Sequence, residues 1–87
     1  MQVKHHKQFK KNYKKRIASN PKLVARFINR LTLKLKDPAN PILKDHQLTG
    51  KFRQYRTFSV TGNIRIIYKI EDKTLRLYDI GTHNQVY

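Results

Sequence analysis

Between Lys36 and Lys51 the hydrophobic period of this chain changes from that of a helix to that of a strand. Before the change, Phe9, Tyr13 and Ile17 recur at i, i+4 and i+8, which predicts a helix over Lys7 to Ala18 with one narrow apolar stripe. Its other faces carry Lys10, Lys11, Lys14, Lys15 and Arg16. Ser19-Asn20-Pro21 interrupts it: Asn20 can cap a following helix, and Pro21 suits a first turn, where a missing N–H costs little. Leu23, Val24, Phe27, Ile28, Leu31 and Leu35 carry that second helix to about Lys36. Asp37-Pro38 ends it, and Asn40-Pro41 keeps the connection extended. Gln2 to His5 is expected to be a short opening strand.

After the change, Phe52 to Val60 has the aromatic and β-branched content of a strand. Thr61-Gly62-Asn63 is a turn signal, Ile64 to Ile70 a second strand, Glu71-Asp72-Lys73 another turn, and Thr74 to Ile80 a third strand closed by Gly81. Connections this short imply an antiparallel meander. Covering its apolar face with the two helices gives an α+β domain, an N-terminal helical hairpin packed on a small twisted antiparallel sheet. With 87 residues the chain is one domain, 1–87, with a small core that must be well patterned.

The net charge of +15, from 20 basic and 5 acidic side chains, destabilises any compact state by self-repulsion. Such one-sidedness points to a polyanionic or strongly acidic partner. The basic residues are spread along the chain and not set opposite an apolar helical face, so a membrane surface fits less well. No stretch approaches the roughly 18 apolar residues of a membrane span. Met1-Gln2-Val3-Lys4-His5 leads into no apolar signal core, and there is no cysteine for disulfides, so a cytoplasmic protein is expected.

The carboxylates Asp37, Asp45, Glu71, Asp72 and Asp79 form no cluster in sequence that suits magnesium, which argues against two-metal nuclease chemistry. The four histidines lack zinc-site spacing, and Gly50, Gly62 and Gly81 make no phosphate-binding loop, so no cofactor or small-molecule substrate is implied. What remains is metal-free acid–base chemistry on RNA, with the ribose 2′-hydroxyl as nucleophile. It needs a base for that proton, a cation over the developing phosphorane charge, and an acid for the 5′-oxygen. His46, ahead of the first long strand, and His83, after the last, are the base and acid candidates; either also fits a plain surface histidine. Alternation puts Arg65, Ile67 and Lys69 on one face of their strand and Ile64, Ile66, Tyr68 and Ile70 on the other. Arg65 is therefore either a phosphate or transition-state clamp or the partner of an acid such as Asp79. Lys51, Arg53 and Arg56 add cationic reach around Phe52 and Tyr55, a mixture that can hold backbone and stack bases. Tyr87 can stack on a base or transfer a proton, although a terminal residue also frays.

The order of a helical hairpin, then Asp45-His46-Gln47-Leu48-Thr49-Gly50, Tyr55-Arg56, Ile64-Arg65-Ile66-Ile67-Tyr68-Lys69-Ile70 and Ile80-Gly81-Thr82-His83 to Val86-Tyr87 resembles the RelE superfamily of bacterial toxins, and within it the YafQ branch. The resemblance implies the toxin of a type II toxin–antitoxin pair: a ribosome-dependent endoribonuclease that cuts mRNA in the ribosomal A site, stored with an acidic antitoxin that blocks the site. By the same resemblance His46 and His83 match two histidines of the YafQ branch, and Tyr87 stands at its aromatic position. Arg65 matches a catalytic arginine of the RelE branch. Ser59, Asn63 and Asp79 depart from the YafQ pattern, which has histidine, aspartate and arginine there. Two alternatives of other classes stand beside this one. The related ParE branch shares the fold and poisons DNA gyrase without cutting RNA, and a basic RNA- or ribosome-binding module would have no activity.

Overall fold

The computed structural model describes all 87 residues. Its strands are β1 (Gln2–His5), β2 (His46–Gln47), β3 (Arg56–Ser59), β4 (Ile64–Glu71) and β5 (Thr74–Thr82), and its helices α1 (Lys7–Arg16), α2 (Pro21–Lys36) and α3 (His83–Val86). The five strands form one sheet in the order β1-β5-β4-β3-β2. The meander of β3, β4 and β5 is antiparallel as the short turns predict, and β2 continues it. β1 instead pairs parallel with β5, so the sheet is mixed and not wholly antiparallel. α1 forms the crossover away from β1, and its residues pack beside β5.

The predicted caps form. Asn20 Oδ1 accepts from the Lys22 and Leu23 amides at 3.1 and 3.2 Å. α1 stops at Arg16, short of Ala18, and the buried Ile17 is its C-cap. Phe9, Ile17 and Phe27 from the helices meet Phe58, Val60, Ile66, Tyr68, Leu75, Leu77 and Ile80 from the sheet in the main core. Ile28 and Leu35 depart from the expected apolar stripe and are 56% and 42% exposed. They lie roughly 80–100° around the helix axis from Phe27, beyond the face that the sheet covers. Lys34, about 20° from Phe27, turns inward in their place.

Two other boundaries move. The strand expected from Phe52 begins only at Arg56, because Gly50 takes a left-handed backbone (φ +66°) and Gly50–Phe52 coils into a 3-10 turn. Lys51 and Arg53 thus sit in a turn and not on a strand. Gly81 does not close β5 but lies inside it. A Cβ there would come within 2.7 Å of Gln85 Oε1 and 2.8 Å of Arg16 Nη1, so glycine permits α3 to close onto β5. Finally, Ile67 faces Asp79 whereas Tyr68 faces Leu77, leaving Tyr78 as a bulge.

Candidate functional site

On the sheet face away from α1 and α2, Ile67 is roofed by Leu48 and Val86, with Phe52, Tyr55 and Tyr78 packed around them. Beside this cap lies a cleft of about 340 Å³ lined by His46, Leu48, Thr49, Phe52, Arg65, His83 and Tyr87. The four side chains singled out for chemistry in the sequence, His46, Arg65, His83 and Tyr87, therefore share one cleft, although they come from β2, β4, α3 and the chain end.

Each is positioned by local structure. His46 stands across from Thr57 on the edge of the sheet. Its Nδ1 lies 3.0 Å from the Lys44 carbonyl. A carbonyl only accepts, so Nδ1 is the nitrogen that donates, which in the neutral tautomer leaves the lone pair on Nε2. Arg65 is paired with Ser59 on one side and Gly81 on the other, two residues too small to cover it. Its Nε is buried without a hydrogen-bond partner, and its guanidinium carbon lies 6.0 Å from the centre of the Tyr87 ring. Asp79 is not its partner. The bulge beside Asp79 accompanies a turn toward α1, where its carboxylate accepts from Asn12 Nδ2 at 2.7 Å and Gln8 Nε2 at 3.0 Å, with Arg16 at 3.5 Å. Of the two roles the sequence left open for Arg65, the acid partnership with Asp79 is thus excluded. His83 opens α3, which is tied to β5 by the Thr82 amide donating to Gln85 Oε1 at 2.8 Å. Its ring meets Tyr87 edge-on, 4.5 Å between centres, and Tyr87 also packs on Phe52 at 6.5 Å.

Lys51, Arg53 and Arg56 do not line this cleft. Lys51 lies over the ring of its neighbour Phe52 at 5.4 Å, near the rim. Arg53 faces a separate hollow with Gln47 and Arg56. Arg56 is engaged: its guanidinium donates to Asp45 Oδ1 at 2.7 and 2.8 Å.

Sequence reasoning did not find the network behind His46. Asp45 accepts from Lys34 Nζ at 2.8 Å, from Arg56 and from the Tyr68 hydroxyl, joining α2, β3 and β4 immediately before His46. Burial pushes the Asp45 carboxyl up, but hydrogen bonds from Lys34, Tyr68 and Arg56 outweigh it and hold the group below its ordinary range. Lys34 mirrors this: burial lowers it, and its bonds to Asp45 and Tyr68 leave it raised. The legible signal was Phe27, Leu31 and Lys34 at i, i+4 and i+7, which places a lysine on the inward face of α2.

A cleft with an imidazole nitrogen that can accept a proton, an unpartnered guanidinium, a second imidazole and a phenol can bind a phosphodiester, take a proton from an attacking hydroxyl and give one to the leaving oxygen. No group of three or more His, Cys, Asp or Glu side chains converges anywhere in the chain.

Known proteins resemble this one throughout its length. A family model described as "Bacterial toxin of type II toxin-antitoxin system, YafQ" matches residues 1–87. The mRNA interferase toxin YafQ of Escherichia coli strain K12 is 38% identical over 50 residues, which span 58% of this chain and about half (54%) of that relative. The crystal structure of YafQ from Escherichia coli strain BL21(DE3) superposes with a TM-score of 0.81 at 27% identity, covering 98% of this chain and 96% of the other. The toxin in the crystal structure of the Escherichia coli DinJ-YafQ complex gives 0.80 at 28%, with the same coverage. A YoeB/ParE toxin from Agrobacterium tumefaciens also gives 0.80, covering 95% and 99%, but at 15% identity it shows the fold alone.

Proposed function

This chain belongs to the YafQ family of bacterial toxins of type II toxin–antitoxin systems, and from that membership we propose that it is an mRNA interferase, a ribosome-dependent endoribonuclease working by metal-free acid–base catalysis. The observation that carries this reading is the convergence of His46, Arg65, His83 and Tyr87 on one cleft. Relatives named mRNA interferase toxins support it.

In this scheme His46 Nε2 takes the proton of the ribose 2′-hydroxyl, and the 2′-oxygen attacks the adjacent phosphorus. The bond from phosphorus to the 5′-oxygen breaks, and His83 in its protonated form gives that oxygen a proton. The products are a 2′,3′-cyclic phosphate and a 5′-hydroxyl. Arg65 faces the phosphorane, which carries more negative charge than the ground-state phosphate. Tyr87 orients His83 through the edge-on contact and offers a ring to a neighbouring base.

Replacing Arg65 with methionine should therefore lower the cleavage step by roughly 10²–10³-fold while changing message binding little, since it removes charge stabilisation realised mainly in the transition state. Lys10→Ala and Lys14→Ala should do the reverse, weakening association and its salt dependence. Single-turnover rates against message concentration separate the two. An Arg65 variant that alters only affinity would make the residue a backbone contact.

The partner in storage is proposed to be an acidic antitoxin, as the DinJ-YafQ complexes of a similar toxin suggest. A surface at +15 in a cell full of RNA calls for counter-charge. An acidic segment folding over the sheet around Arg53, Arg56 and Arg65 would supply it and exclude substrate. The test of the whole reading is induction of the protein alone, followed by primer extension on cellular messages. Cuts within reading frames and translation arrest are expected. Intact messages with a DNA-damage response would replace this reading with gyrase inhibition.

A further inference from the structure

The open face of the sheet carries a second basic cleft that the cleavage scheme does not use. Lys69 on β4 stands across from Arg76 on β5, and Arg76 across from Lys4 on β1. Three cations thus occupy one row over three adjoining strands, an arrangement that destabilises a sheet by like-charge repulsion. Glu71 offsets only part of it, at 3.3 Å from Lys69 and 3.5 Å from Arg76, and is half exposed. The Nε of Arg76 is buried and makes no hydrogen bond; the Glu71 carboxylate at 3.5 Å is the acceptor it faces. Three cations facing one half-exposed carboxylate leave an excess of positive charge that favours an anion.

Aromatic rings stand at the end of the same row. Tyr55 precedes Arg56, whose partner is Tyr68, so it falls beside Lys69, and Lys69 Nζ lies 5.7 Å over its ring. Tyr78, the bulged residue of β5, stacks on Tyr55 with 4.7 Å between centres and 28° between planes. His6 lies near Tyr78, 4.8 Å between ring centres and tilted by 44°. These residues line a cleft of about 400 Å³. Arg65 and Lys69 share a strand and a face, four residues apart, so this cleft opens about 13 Å from the first.

Resting on the RNA-cleaving reading above, we propose that this cleft is a second RNA subsite: it stacks the base of a nucleotide flanking the scissile one on the Tyr55–Tyr78 pair and holds its phosphate among Lys4, Lys69 and Arg76. An anion site alone has no need of stacked tyrosines, and an aromatic cap on Ile67 has no need of three aligned cations. A single strand joins both features in every nucleotide, and roughly two to four nucleotides bridge the two clefts, depending on how far they stack.

The test is fluorescence anisotropy with a short labelled 2′-O-methyl oligonucleotide, which has no free nucleophile, alongside message cleavage by the same preparations. Tyr55→Leu and Tyr78→Leu should bind roughly 5- to 150-fold more weakly, and the Tyr→Phe variants like wild type. Lys69→Met and Arg76→Met should each weaken binding and lower its salt slope by about 0.7. An oligonucleotide with abasic sites should lose affinity for wild type but little for the leucine variants, and with Arg76→Met this arm decides the matter even if a leucine variant misfolds. Wild-type affinity and salt slope in the tyrosine and Arg76 variants, with normal cleavage by wild type, would overturn the subsite alone. A wild type that neither binds RNA nor cuts messages would overturn both readings. Variants that keep RNA affinity but lose affinity for a polyglutamate peptide would make the row a protein-docking surface and sink the subsite.

Discussion

His83→Ala is expected to slow message cleavage by roughly 10²–10⁴-fold, and His46→Ala to do the same, the scale on which general acid–base catalysis contributes. His83 is exposed at the start of α3, and its only aromatic partner is Tyr87, so its loss leaves the core untouched. His46 is exposed on the edge strand and bonded only to the Lys44 carbonyl. Both variants should fold, bind the proposed acidic partner and fail in turnover. In the double variant the two losses should not multiply, because one proton transfer without the other leaves the reaction stalled. Rates are to be compared under single-turnover conditions with circular dichroism as the folding control. Wild-type rates in both folded variants would remove the imidazoles from the mechanism.

The largest expected effect on stability lies next to His46. Asp45→Asn should destabilise the domain by about 3–5 kcal/mol, because it strands Lys34 in a buried position. The Lys34 and Asp45 side chains are only 7% and 11% exposed, so solvent screens the pair little. Arg56, at 46% exposed, contributes far less to this figure. The loss is a large share of a typical total of about 5–15 kcal/mol and should lower the melting temperature by more than about 10 °C. A Lys34→Met, Asp45→Leu double variant should recover much of it, since apolar replacement removes both buried charges.

The same network fixes a pH dependence. The Asp45 carboxyl is depressed on folding, so its contribution is present above the ordinary value of 3.8 and is lost as pH falls through the lower folded value. Lys34 is raised, so its contribution is present below 10.5 and is lost as pH rises beyond it. Urea titrations should show wild type losing stability on the acid side of 3.8 and Asp45→Asn losing less there. A variant as stable as wild type at neutral pH would show that the network carries no net stabilisation.

Much of this was legible in the sequence because it is local. Periodicity located α1, α2, β4 and β5, and the Asn20-Pro21 pair located the start of α2. The parallel pairing of β1 was not legible, since its partner β5 lies some seventy residues away and nothing local specifies direction. The turn at Gly50 was hidden by the strand-like run that begins at Phe52: a left-handed backbone leaves only a glycine as its mark. His46, Arg65, His83 and Tyr87 could be chosen by chemical type, but their common cleft depends on the edge pairing of β2 and on α3 folding back over β5. Arg56 is a reasonable phosphate ligand on composition, yet it stands opposite Tyr68 and within reach of Asp45, which holds it. The Tyr55–Tyr78 stack arises from a bulge, a register event that alternation cannot reveal.

The central claim is that this protein cuts RNA by activating the ribose 2′-hydroxyl. It is tested most directly with a ribosome-bound message that carries a single 2′-deoxy substitution at a mapped cut position. The account predicts that cutting at that position stops while neighbouring sites are unaffected, and that the all-ribose control yields a 2′,3′-cyclic phosphate and a 5′-hydroxyl. Cutting of the 2′-deoxy message at the usual rate, or fragments that bear a 5′-phosphate, would contradict it, because the attacking oxygen would then come from water and not from the RNA.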